Sequence, residues 1–197
     1  MQLEETLITY GAPTLAGIKL ANLFRYHAPP GLNLLPEIET TDRRLRPLGI
    51  RLCILKHCQR TGSHLLYLYR EQALHCRLNR PEIRRFLQQC GYSPASGSGA
   101  LLEQLSGRLC LSAEFPHEIG VFLGYPMQDV VGFIQNGGRR YHCAGCWKVY
   151  GNVPAAKRCF AQYAACTRIY CSRFSSGSTL LQLAVPSHSI STMTERM

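Results

Sequence analysis

Ile50 to Arg70 reads IRLCILKHCQRTGSHLLYLYR, and the fold is decided there. Two runs, Ile50–Lys56 and His64–Arg70, carry Leu52, Ile54, Leu66, Tyr67 and Leu68, a density of apolar and aromatic side chains that suits a pleated surface. Between them Gln59-Arg60-Thr61-Gly62-Ser63 supplies a short, glycine-bearing polar turn, so the runs pair as an antiparallel hairpin. Upstream, Ile18–Tyr26 (IKLANLFRY) follows the Gly17 break and predicts another strand. Pro36 to Arg46, with Ile38 and Leu45 as apolar positions, reads as a helix that Pro47 and Gly49 stop. Downstream, Glu71–Asn79 and Pro81–Cys90 read as helices, the second opening on proline and closing before Gly91. Ser93–Gly99 is a Ser/Gly/Pro linker. Ala100–Leu109 and everything beyond it reads as helical, including a long helix from Val153 to Phe174. Strands and helices in the N-terminal half, with helix through the C-terminal half, predict an α+β fold with a small antiparallel sheet.

A chain of 197 residues, 46% of them hydrophobic, supports one substantial core, and a single domain over residues 1–184 is expected. Residues 185–197 are polar and aperiodic and read as a disordered tail. Glu4, Glu5, Lys19 and Arg25 interrupt the first apolar positions, so no signal-peptide pattern emerges, and no apolar run is long enough to cross a bilayer. A soluble, cytoplasmic protein is expected, with no membrane contact. In that compartment the ten cysteines read as thiols, metal ligands or redox groups before they read as a disulfide framework.

The net charge of +10 comes from 22 basic and 12 acidic residues, and its asymmetry is local. No Asp or Glu lies between Val130 and Thr194, whereas Arg139, Arg140, Lys148, Lys157, Arg158, Arg168 and Arg173 all fall there. A surface of one sign attracts anionic partners, whether acidic protein, nucleic acid or phosphorylated cofactor, without choosing among them.

From Glu114 the chain runs EFPHEIGVFLGYPMQDVVGFI, then GCWKVYGNV from Gly145 and CTRIYC from Cys166; near the start, Pro13 to Phe24 reads PTLAGIKLANLF. In order and wording these blocks, with their Pro116-His117-Glu118 and Leu123-Gly124-Tyr125-Pro126 motifs, resemble a family of bacterial and phage proteins known as domain of unknown function 3793. The resemblance spans residues 13 to about 183. It implies one domain over nearly the whole chain, no assigned activity, and a setting near flavodoxin and iron-uptake genes.

Within the PHE/LGYP segment, Pro116 suits the first turn of a helix, Glu118 the positive end of its dipole, and Gly124 its end. Pro126 then opens a second helix that buries Val130, Phe133 and Ile134 and exposes Gln128, Asp129, Gly132 and Gln135. The pair outlines a helix-turn-helix, but an acidic residue near the second helix's start repels phosphate, and no arginine there reads guanine. His117 beside Glu118 has the chemistry of a general acid/base pair, yet neighbours on a helix point about 100° apart, which favours packing or capping roles.

Cys143-Ala144-Gly145-Cys146 has the spacing of a metal knuckle and is half a zinc or iron site; Cys166 with Cys171, or Cys159 with Cys166, could supply the rest. Cys159, Tyr163, Cys166 and Tyr170 share one helix face, which reads more readily as core. Tyr141, Trp147 and Tyr150 interleave with Arg139, Arg140 and Lys148, a mixture that receives a flat anionic ligand or an acidic surface.

Three function classes remain open. The preferred one is a non-catalytic accessory or binding protein whose basic, Cys- and aromatic-rich C-terminal half docks an anionic partner, with a redox or iron link. The second is a helix-turn-helix nucleic-acid-binding protein. The third is an enzyme using His117, Glu118 and a thiolate such as Cys143 or Cys146, although no complete triad, nucleotide loop or paired metal motif is present.

Overall fold

The computed structural model describes residues 2–29, 31, 33–58, 61–93, 97–111 and 115–187. Gln59 and Arg60 of the expected turn, the middle of the 93–99 linker and the tail from 188 onward lie outside them. In chain order the elements are α1 (Leu3–Leu15), β1 (Ala21–His27), α2 (Leu34–Leu45), β2 (Ile50–Cys58), β3 (Ser63–Arg70), α3 (Glu71–Leu78) and α4 (Pro81–Gln89). There follow α5 (Gly97–Leu111), α6 (Ile119–Phe122), α7 (Met127–Gln135), β4 (Cys143–Ala144), β5 (Lys148–Val149), α8 (Val153–Ser175) and α9 (Leu180–Leu183). The fold is α+β, as the sequence predicts.

The predicted hairpin is β2–β3, and β1 joins its other side, giving an antiparallel sheet of order β1-β3-β2. Side chains alternate across a strand, so the central β3 feeds two cores. Tyr67 and Tyr69 face a core built with α3, α4, α5, α6 and α7, while Leu66 and Leu68 face one built with α1, α2 and α9. A strand covered on both faces reads as an unbroken apolar run, which is what HLLYLY is. Register slips between Ile54 and Lys56, leaving Leu55 as the extra residue of a bulge. Its carbonyl is claimed by the Ser106 hydroxyl of α5 at 2.6 Å, and Lys56 Nζ donates to the Leu109 carbonyl, so the bulge fastens α5 to the sheet.

Helix α1 has no counterpart in the sequence reading. Gly11 and Pro13 both weaken a helix in isolation. Packing explains the glycine: a Cβ at Gly11 would lie 2.5 Å from Leu68 Cδ2, so α1 rests directly on the sheet. Gly17, at φ 78°, closes the helix as Gly17 N–H and Ile18 N–H return to the carbonyls of Thr14 and Pro13. That turn delays the strand to Ala21, three residues after the expected Ile18.

The C-terminal half departs from the all-helical expectation at one place. Gly137 and Gly138 take left-handed φ values of 56° and 71°, and the chain then forms the β4–β5 ribbon before α8 begins. The expected tail is anchored at its start: Arg70, buried and among the described residues without a carboxylate partner, donates to the carbonyls of Thr14, Leu15 and Val185. Ser187 N–H meanwhile bonds to the Leu48 carbonyl.

Candidate functional site

The first helix of the expected helical pair is a single turn. Carbonyls of α6 and of the turn after it are taken by side chains: Arg77 donates to Val121 and Tyr125, and the buried Tyr67 hydroxyl donates to Phe122 at 2.6 Å. Those donors end α6 where a longer helix would continue. Gly124, at φ 82°, makes the turn, and a Cβ there would strike Leu20 at 2.8 Å.

The second helix, α7, has its outer face covered by the ribbon, which corrects the expectation that Asp129 and Gly132 are exposed. Asp129 is 4% exposed, and one oxygen accepts the Trp147 indole N–H at 2.7 Å while the other accepts Tyr150 N–H and Gly151 N–H, each at 2.8 Å. Gly132 is required because a Cβ would sit 2.5 Å from the Tyr150 ring. Tyr150 continues to the Arg139 carbonyl through its hydroxyl at 3.0 Å. Of the four positions expected on its outer face, Asp129 and Gly132 are thus covered from within the chain, while Gln128 and Gln135 are exposed.

Between α6, α7, the ribbon and Leu23 of β1 is an open cavity of about 370 Å³. Ile119, Leu123, Val130 and Phe133 give it apolar walls, and Trp147 forms one side. Trp147 is fixed three ways: by Asp129, by stacking on Tyr125 at 5.0 Å and 28°, and by an edge contact with Phe160 at 4.5 Å. Gly145 lets the ribbon approach α8, since a Cβ would meet Phe160 at 2.3 Å. His117 and Lys148 complete the lining. His117 tilts against Phe115 and Phe133, at 6.0 and 4.8 Å. Lys148 Nζ donates to the Gly138 carbonyl at 2.7 Å and lies 5.6 Å from the Phe133 ring and 4.9 Å from Tyr141.

His117 and Glu118 diverge. Glu118 is buried in the first core, where it accepts from the Tyr92 hydroxyl at 3.0 Å and faces Arg108 at 3.5 Å, while His117 is exposed at the cavity. Burial, with the Glu118 charge beside it, raises the Tyr92 phenol well above its usual value. Glu118 thus holds α5 and α6 together, and among the described residues no hydrogen bond joins it to His117.

The cysteine set Cys143, Cys146, Cys166 and Cys171 does not assemble. Among the described residues no group of three or more His, Cys, Asp or Glu side chains converges as metal ligands do. Cys143 and Cys146 flank the ribbon turn, whereas Cys166 and Cys171 lie late on α8, about 9–16 Å of axial rise beyond Phe160, which marks the ribbon's contact. Cys171 and Tyr170 pack against the second core, and burial pushes the Cys166 thiol up. Near the exposed Cys146, Lys19 lies 5.9 Å from the Tyr125 ring and 5.6 Å from Tyr163. Burial lowers its ammonium pKa against the opposing pull of Cys146.

The aromatic and basic set divides. Arg139, Arg140 and Tyr141 are exposed, while Trp147, Lys148 and Tyr150 are partly buried in the cavity wall and the α7 contact. Tyr125, Asp129 and Phe133 join the site without having been singled out for it. The ion pairs found among the described residues all use cations of residue 108 or earlier, so no cation of the acid-free stretch is held by a carboxylate. Four of them, Lys157, Arg158, Arg168 and Arg173, are exposed along α8.

No helix among the described residues is long and apolar enough to cross a membrane. The family model described as "Protein of unknown function (DUF3793)" matches residues 7–184, from within α1 to the end of α9. Neither a curated protein nor a solved structure matches the chain. The chain belongs to the DUF3793 family.

Proposed function

We propose that the chain is a non-catalytic binding protein that docks an acidic partner protein on the outer face of α8. The observation that carries this reading is the unpaired state of Lys157, Arg158, Arg168 and Arg173 among the described residues. At 100° per residue these four and Ile169 fall within one half of the helix circumference, and Cys159, Tyr163, Cys166, Tyr170 and Phe174 fall on the other. On this 23-residue helix the cations from Lys157 to Arg173 form a strip about 24 Å long. Ile169, 54% exposed, puts an apolar side chain inside a charged border, the anatomy of a protein contact more than of a phosphate track. A cytoplasmic setting suits this reading, because Cys146, exposed at the ribbon turn, would stay reduced and accessible to a redox partner.

The test is a binding titration over salt, using polyglutamate of about twenty residues and a DNA duplex of about twenty base pairs. Polyglutamate binding should weaken about tenfold in Arg158→Glu/Arg168→Glu and stay unchanged in Arg85→Glu, a reversal on exposed α4. Equal weakening by both variants would refute a specific face. Tighter duplex binding, lost in the α8 variant, would transfer the face to nucleic acid.

A further inference from the structure

We infer that the cavity between α6, α7 and the ribbon is a binding site for a small carboxylate with an apolar, ring-sized body. Its volume of about 370 Å³ lies at the low end of the range for small-molecule sites, ~300–1,000 Å³, which suits a molecule of one or two rings. Leu23, Ile119, Leu123, Val130, Phe133 and Trp147 offer such a body apolar contact. The walls are set in advance, because Trp147 is locked by Asp129, Tyr125 and Phe160, and little ordering remains to oppose binding.

The polar groups select the charge. Lys148 carries three N–H donors, and among the described residues one is used, on the Gly138 carbonyl. Its other neighbours are the Phe133 and Tyr141 rings, so its charge is unbalanced. His117 rests on the same Phe133 ring, and its nitrogens have no hydrogen-bond partner among the described residues. Asp129 also lines the cavity, but it is 4% exposed and three of its roughly four acceptor sites are taken by Trp147, Tyr150 and Gly151, so little of it is open to a ligand. Among the described residues a cation would find only the buried, largely occupied Asp129 on these walls, and a neutral hydrocarbon would leave the ammonium donors unused. A carboxylate satisfies both requirements, with its body against Trp147 and its oxygens toward Lys148 and His117.

The site differs from the α8 face, so either can fail alone. Trp147 is the chain's single tryptophan, and its emission, excited at the red edge, reports this wall without interference. The probes are phenylpropionate, phenylpropanamide and phenylpropylamine, which share a body and differ in charge. Phenylpropionate should change Trp147 emission saturably, and the amide and amine should bind about tenfold more weakly or worse. Lys148→Met should remove that preference while circular dichroism stays unchanged. Ala144→Phe, on the lining, should abolish the response by filling the space. Calorimetry with the same probes separates binding from quenching. No saturable phenylpropionate response, equal binding of the amine, or an unaltered response in Ala144→Phe would each overturn the inference.

Discussion

Asp129 accepts from Trp147, Tyr150 and Gly151, so one carboxylate fixes the indole, the strand end and the approach to α8 together. A buried carboxylate needs donors around it, and these three supply them from a segment with no acidic residue of its own. Arg140 is the converse case. It is exposed and has φ 57°, the left-handed region that costs an L-residue about 1–2 kcal/mol. Gly137 and Gly138 come shortly before it, yet the position itself holds arginine, so the strain is kept at an exposed cation. Replacing Arg140 by Gly should raise the unfolding free energy by about 1 kcal/mol in denaturant titration. A loss of stability would show that its side chain supports the ribbon.

At the scale of elements, α7 illustrates packing against propensity. Gly132 sits inside a nine-residue helix, where alanine would be favoured by about 1 kcal/mol. Because a Cβ would press on Tyr150, Gly132→Ala should instead lower the melting temperature and blue- or red-shift Trp147 emission as the ribbon lifts. A higher melting temperature with unchanged emission would mean the ribbon does not bear on α7. The hairpin was legible in the sequence because its apolar residues and glycine turn are local. Helix α1 was not, because Gly11 and Pro13 obscure a helix that tertiary contact stabilises. The ribbon escaped notice for a different reason: strands of two residues have no period to read. Within the site, Trp147 and Lys148 stood out as an aromatic beside a cation. Phe133, Tyr125 and Asp129 join them only through the close approach of α7 and the ribbon, which no spacing encodes.

For the molecule as a whole, the two cores bury titratable groups in their neutral forms. Burial pushes the Cys53 thiol, the Tyr69 phenol and the Tyr125 phenol up to about 12 each, against ordinary values of 9.0 for the thiol and 10.0 for the phenols. Above those ordinary values the unfolded chain loses protons that the folded chain keeps, so stability present at neutral pH declines as pH rises toward 12. Lys19, Arg70 and Arg77, all lowered by burial, work the other way, gaining stability as pH climbs toward their ordinary values, but the buried thiols and phenols outnumber them. The melting temperature should therefore fall by roughly 5 °C or more between pH 8.5 and 11. A flat profile would contradict the burial of these side chains. The same layering closes both cores and leaves Lys157, Arg158, Arg168 and Arg173 of the acid-free half exposed and, among the described residues, unpaired.

That outward, unmatched charge is the central claim, and residue-resolved NMR of the isotope-labelled protein titrated with polyglutamate tests it most directly. Amide shifts should move along residues 157–173 of α8 and leave α2 and α4 in place. Movement concentrated on α4, or spread evenly over every exposed arginine, would contradict it.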